Sequence, residues 1–379
     1  MPFPAKTLIY LMILSGIPAL ALAQSSTLTG ASRSMNPAIS VNGLIRGQAS
    51  RDNPTGDLNG FKIDGVEVQF TSVVDPFWKA NFNIGMHPAH AHEGEEDAHA
   101  EGMVVHVEEA YLDGQSLPAD LGLRLGKFAL PFGKHAPLHM HQFPFSDAPV
   151  AIAAFLSDHV FADTGAMGIV TAPVPWYSDL RIYGVSGEAA PFDAHNKNLA
   201  GGGRLTNLWD LTDDATLELS GSYLHGPDAR HPGENKKVDM YGADLTWKWI
   251  SSARTRGPAL NLTVEALWPD YEEGEGDPWG WYGLAQYRFH RNWWLGLGVG
   301  QADAGIDHAA AEEPGHEGHD HGLEGDLREY KINLTFAPSE FSAVRAEMVY
   351  HQDKVTMEDD LRFIVQANFT IGSHPAHLY

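Results

Sequence analysis

The run "LRFIVQANFTI" (361–371) alternates with a period of two. Leu361, Phe363, Val365, Ala367, Phe369 and Ile371 fall on one side, Arg362, Gln366, Asn368 and Thr370 on the other. That is the pattern of a strand with one apolar and one polar face. "YKINLTFA" (330–337), "LNLTVEALW" (260–268) and "TLELSGSY" (216–223) repeat it. Sixteen runs of this kind are expected to be strands: 38–49, 60–73, 76–86, 102–113, 120–130, 164–172, 178–186, 200–208, 214–225, 237–250, 257–268, 279–290, 293–303, 326–337, 341–352 and 360–371. Most are long for a soluble sheet and suit tilted strands that cross a bilayer. The alternation slips around Gly65, where a bulge is expected.

The connections alternate between short and long. "VDP", "APVPWYS", "HRN" and "APSE" fall on one edge. "HPAHAHEGEEDAHAE", "GEAAPFDAHNKNLA" and "ADAGIDHAAAEEPGHEGHDHGLEG" fall on the other. Short periplasmic turns and long outer loops describe a transmembrane antiparallel β-barrel of about sixteen strands. Aromatic residues agree with it. Trp78, Trp176, Tyr177, Trp249, Trp293 and Trp294 sit at the short-turn ends, and Trp268 and Trp279 at the loop ends. Amphipathic rings gather at the headgroup level of such barrels.

Residues 1–23 read as a signal peptide, with Lys6 in the charged region, "TLIYLMIL" as apolar core and "ALA" before the cut. The expected organisation is signal peptide 1–23, a periplasmic segment 24–37, and an outer-membrane barrel over 38–379 with a loop at 131–163 that folds into the lumen. In that loop "VAIAAFL" reads as a short apolar helix. Asp147 is placed as its N-cap and Pro149 near its first turn. With no cysteine there are neither disulfides nor thiolate metal sites. The formal charge of −24 disfavours nucleic acid and favours cations.

"NPAISVNG" (36–43), "VEEAYLDGQSLPADLGLRLGKF" (107–128) and the terminal "NFTIGSHPAHLY" resemble a family of bacterial outer-membrane proteins often labelled zinc-regulated, TonB-dependent receptors. The resemblance covers most of the chain beyond the leader and implies a barrel tied to metal supply. One part of the label departs from this sequence. A TonB-dependent transporter carries a plug and a 22-stranded barrel, and 379 residues less the leader do not hold both. A porin-like barrel without plug or TonB coupling is the expectation.

A sixteen-stranded lumen is wide enough for water. The alternation turns Arg46, Arg124, Glu218, Asp244, Lys248, Glu265, Arg288, Lys331, Arg345, Glu347 and Arg362 inward as pore-lining residues. Histidine is the unusual residue, 20 in all. One expected metal cluster is His87, His90, His92 and His99, interleaved with acids. A second is His135, His139 and His141, with His159 beyond the helix. A third is His316, His319 and His321 beside His308. Imidazole and carboxylate suit Zn²⁺, and His-rich tracts are a compositional mark of metal binding. Capture should fail below pH ~6.5, where imidazole protonates.

"ANFNIGMHPAH" (80–90) recurs as "ANFTIGSHPAH" (367–377). A metal role is expected of the first copy, and a strand-ending role of the second, because Pro375 closes the last strand. No nucleophile elbow, H-E-x-x-H helix or Walker loop is present, so no catalytic residues and no tightly bound cofactor are expected. The reading is a passive outer-membrane channel whose His-rich outer loops collect a divalent cation, with Zn²⁺ as ligand and substrate. Its expected partners are outer-membrane lipid, lipopolysaccharide and, as in many porins, two further copies in a homotrimer. A general diffusion porin and a non-conducting metal-buffering or adhesion barrel are the alternatives.

Overall fold

A computed structural model describes residues 37–372, apart from 53–58, 89–101, 115–116, 118–120, 194–198, 253–256, 274–275, 306–325 and 355–358. The sixteen strands form. They are β1 Ala38–Ser50, β2 Gly60–Val73, β3 Trp78–Pro88, β4 Met103–Gly114, β5 Leu121–Ala129, β6 Ala162–Thr171, β7 Tyr177–Val185 and β8 Ala200–Thr212. The second half comprises β9 Ala215–Pro227, β10 Lys237–Ile250, β11 Ala259–Tyr271, β12 Trp279–His290, β13 Trp293–Asp303, β14 Asp326–Ser339, β15 Ser342–Asp353 and β16 Asp359–Gly372. Each pairs antiparallel with its sequence neighbours, and β1 closes on β16 from Ser40↔Gly372 to Ser50↔Arg362.

Closure leaves no sheet edge, so the ladder satisfies the strand backbone without water. The outward row then has to be apolar. Leu297, Ile332, Met348 and Phe363 lie side by side on β13 to β16, and all four are exposed. Such a continuous exposed band suits hydrocarbon rather than water. At its short-turn edge the rings of Trp176 and Trp209 lie tilted at 6.1 Å, and those of Trp293 and Phe336 at 4.9 Å. Among the described residues no helix is long and apolar enough to cross a membrane, so any crossing falls to the strands.

Among the register shifts of the described strands, two lie well inside the ladder. Leu44 pairs with Gly65 and Ile45 with Ile63, which leaves Asp64 as the extra residue. Asn83 pairs with Glu109 and Ile84 with Val107, which leaves Glu108 as the extra residue. The first is the bulge expected around Gly65. In both the inserted residue is an acid, and both acids are buried. A bulge re-aims side chains that strict alternation would send outward. Here it lets the adjacent Glu108 and Glu109 both face the interior.

The connection from Leu130 to Phe161 folds inside the barrel. It carries a one-turn 3-10 helix, Met140–Gln142, and the helix α1, Val150–Phe155. Phe132, Ala136, Val150, Ala151, Ile152 and Phe161 are buried with wall residues Leu224, Met240, Leu267 and Tyr282. α1 rests on β11 to β14, where glycines keep the wall low. A Cβ on Gly280 would stand 2.9 Å from Ala151 Cβ, and one on Gly300 3.1 Å from Val150. The cap differs from the expectation. Pro149 is the N-cap of α1, with no side-chain cap bond, and the Asp147 carboxylate is held by Arg46 instead.

The loop backbone has no ladder to join, so the wall supplies its partners. Asn368, Arg345 and Asn333 donate to the carbonyls of His141, Phe143 and Pro144. Arg46 donates to Ser146 O, and Lys331 Nζ to the carbonyls of Asp147 and Ala148. Glu347 accepts from Ser146 N, and Glu265 from Lys134 N.

Gly280→Val should lift α1 from this seat, since overpacking costs about 1–3 kcal/mol. Hydrogen exchange of amides in 130–161 should rise about tenfold, while the β12 and β13 ladders stay protected.

Candidate functional site

Where the loop crosses between β1 and β4, it brings histidines onto a wall of carboxylates. His139 occupies the centre. Its Nδ1 lies 3.0 Å from Glu108 Oε2 and 3.5 Å from Glu67 Oε2, and its Nε2 lies 3.0 Å from Glu109 Oε2. His141 Nδ1 is 2.8 Å from Glu67 Oε2. On β3, His87 Nε2 is 2.8 Å from Glu108 Oε1, with His106 Nε2 3.8 Å from the same oxygen. The His87 ring also lies 4.8 Å from that of His159, whose Nδ1 is 3.1 Å from Met140 Sδ. Five imidazoles and three glutamates thus share one pocket of the lumen.

Local sequence explains the assembly. Asn83, Gly85 and His87 share one face of β3 by alternation. Gly85 is needed for close approach, because a Cβ there would meet Glu108 Oε1 at 2.4 Å and His87 Nε2 at 2.8 Å. The β4 bulge delivers Glu108 and Glu109 together, and Gln142 at the loop's 3-10 turn accepts from His139 N.

Neutral imidazole has one donor nitrogen and one acceptor. His139 has a carboxylate at each, so both contacts are satisfied only when both nitrogens carry protons. Burial opposes that charge, but Glu67 and the hydrogen bonds from Glu108 and Glu109 more than reverse it. Its pKa is raised well above the usual imidazole value. Asp147 shows the opposite balance, with burial outweighed by Arg46 and Lys331, which hold it below the usual carboxylate range.

The expected histidine groups divide differently. His87 belongs to the wall of the lumen, 4% exposed, rather than to the outer loop with His90, His92 and His99. His135 parts from His139 and His141. It packs against Phe143 at 4.4 Å and edge-on to Tyr282, and its ring nitrogens have no hydrogen-bond partner. Burial first, then the Lys331 charge, pushes it down to about 3, so it stays neutral. His90, His92, His99, His308, His316, His319 and His321 lie outside the described residues, as do His374 and His377 of the second repeat. Glu67, Glu108, Glu109 and His106 join the site without belonging to any histidine cluster of the sequence. The adjacent acids of "VEEAY" in a strand were the available signal.

The residues read as pore-lining have several employments. Arg46, Lys331, Arg345, Glu347 and Glu265 bind the loop, and Glu265 also accepts from Tyr282 at 2.5 Å. Glu218 takes Lys134 Nζ. Asp244 is paired with Arg204, Arg124 with Asp113, and Arg362 with Asp360. Arg288 donates to Gly257 O, and Lys248 shares a face of β10 with Asp244.

No family model matches the chain. An uncharacterized protein of Aquifex aeolicus (strain VF5) is 26% identical over 384 residues, covering 89% of this chain and 74% of its own length. Among solved structures, the fold is similar to OprB of Pseudomonas putida. The TM-score is 0.59 at 8% identity, over 89% of this chain and 94% of that one. It is also similar to an anion-selective porin from Comamonas acidovorans, with TM-score 0.57 at 10% identity over 89% and 100%. The likeness is one of fold.

His135 and His139 give the loop opposite pH signs. His135, lowered from ~6.5 to about 3, supports the seated loop fully above pH ~6.5 and loses that support as pH falls towards 3. His139, raised, contributes fully below ~6.5 and loses its contribution as pH rises through its folded value. Between pH 6.5 and 4 His139 is constant and His135 is not. Exchange of the 130–161 amides should therefore accelerate, relative to the intrinsic rate, as pH drops through that window. His135→Phe should remove most of the acceleration.

Proposed function

We propose that this protein is an outer-membrane channel of porin type, exported by its signal peptide, that passes divalent cations and above all Zn²⁺ down their gradient. The observation that carries this reading is the inward loop. It lays buried histidines onto buried wall glutamates of a polar lumen, inside a closed barrel with an apolar outer face. A barrel with a purely structural role gains nothing from placing three carboxylates in one buried pocket, since each costs desolvation energy. Imidazole with carboxylate is a donor set that suits zinc. In this reading His90, His92, His99, His316, His319 and His321 raise the local cation concentration at the mouth. The protein acts by transport, with no catalytic step.

One observation favours a second reading. Many lumen charges are paired with each other, as in Arg204–Asp244 and Arg362–Asp360, which is also what a non-conducting metal-buffering barrel would hold.

Planar-bilayer recording separates the two. The channel should show discrete conductance steps at neutral pH, and micromolar Zn²⁺ should depress monovalent current. Deleting 306–325 should leave the conductance and weaken the response to Zn²⁺. Folded protein without conductance would sink the channel reading.

A further inference from the structure

Glu108 faces two sets of ligands with its two oxygens. Oε1 is 2.8 Å from His87 Nε2 and 3.8 Å from His106 Nε2. Oε2 is 3.0 Å from His139 Nδ1, which is itself 3.5 Å from Glu67 Oε2. In each set of three the ligand atoms lie within 4.8 Å of one another. A tetrahedral Zn²⁺ with bonds of about 2.1 Å spaces its ligand atoms roughly 3.4 Å apart. The distances from Glu108 Oε1 to the outer imidazoles, 2.8 and 3.8 Å, and from His139 Nδ1 to the inner carboxylates, 3.0 and 3.5 Å, bracket that value.

A second observation points to a ligand. Asn83, 2% exposed, has its amide in the inner set, with Nδ2 donating to Glu67 at 3.2 Å. Its Oδ1 has no hydrogen-bond partner. The guanidinium groups nearby are committed elsewhere. Arg46 holds Asp64 and Asp147, and Arg124 holds Asp113. Glu67, Glu108 and Glu109 meet imidazoles instead, with Asn83 Nδ2 also donating to Glu67 and Ala129 N to Glu109.

The two sets stand at different depths. His106 pairs with Gly85 and His87 with Val104, towards the end where β3 leads into the His-rich connection. Asn83 and Glu109 pair further down the strands. The outer set keeps a partly exposed member, His106, while Glu67, Glu108 and His139 are all buried.

We propose that Glu108 bridges two divalent-cation positions, an outer one of His87, His106 and Glu108 and an inner one of Glu67, Glu108 and His139, that each ligating imidazole nitrogen gives up its proton to water as the cation takes its place, and that a cation steps from the first position to the second. Adjacent positions sharing one ligand let an ion leave a site as readily as it enters, which passage requires. The stepping rests on the channel reading above. The two positions do not.

The test uses full-length folded protein and Co²⁺ alone, whose visible absorption reports direct nitrogen and oxygen ligation, with Zn²⁺ as competitor. Glu108→Gln should bind two fewer equivalents than the native protein, or bind them at least tenfold more weakly. His106→Ala should lose one equivalent, and His139→Ala the other. His106 lies away from the loop anchors, so its variant reports on the outer position even if His139→Ala unseats the loop. In bilayers Glu108→Gln should cut Zn²⁺ current at least tenfold while K⁺ current remains. Native stoichiometry and affinity in Glu108→Gln, or in His106→Ala, overturn the proposal. Glu108-dependent Co²⁺ binding in a barrel that carries no current overturns the channel reading and leaves the two positions standing. Current without Glu108-dependent binding does the reverse.

Discussion

Every feature of this molecule follows from the closed hydrogen-bond ladder. A membrane offers the backbone no partners, so a sheet placed there has to end on itself, and β16 pairs with β1 to do so. Once the ring is closed, each strand has one face outward and one towards the lumen, and the outward one is apolar. Leu297, Ile332, Met348 and Phe363 meet the first condition, and Arg46, Lys331 and Glu347 the second. Sixteen strands also set the width, leaving room inside for a chain segment of thirty-odd residues to fold.

That inward segment is held in two ways. Its apolar half, centred on α1, sits on a wall thinned by Gly280 and Gly300. Its extended half, through His141 to Ala148, is held by wall side chains that donate to one carbonyl after another. Buried backbone carbonyls without partners are expensive, so Asn333, Arg345 and Asn368 are understood first as supports for the loop. Lumen charges in such a barrel therefore have a division of labour. Some hold the loop, some pair with each other, and the group around His139 sets imidazoles against carboxylates.

The bulge in β4 is the smallest device with the largest effect. Without the extra residue, Glu108 and Glu109 would point to opposite faces, and one carboxylate would enter the hydrocarbon. With it, both reach the loop, and Gly85 opposite provides the space their contacts need. The bulge in β2 does the same for Asp64, which Arg46 then holds together with Asp147. Asp64 and Glu108 each sit at a one-residue register shift and end in different company, one beside a guanidinium and one among imidazoles.

The sequence by itself determined the strands, because a period of two is a local property and each β-strand enforces it residue by residue. It determined the antiparallel closure through the alternation of short and long connections. The position of α1 was also legible from "VAIAAFL", although its cap was not: Asp147 finds Arg46, a partner about a hundred residues away in the chain. Local pattern also suggested that His135, His139 and His141 belong together because they lie close in sequence. Tertiary structure decided otherwise. The chain turns between them, sending His135 into an apolar pocket beside Phe143 and Tyr282, and His139 onto Glu67, Glu108 and Glu109. Those carboxylates come from β2 and β4, and only closing the barrel and folding the loop inward brings them within hydrogen-bonding distance. Spacing along a chain cannot encode a meeting among three strands and a loop. The bulges that aim the acids are visible in sequence only as a slip in alternation.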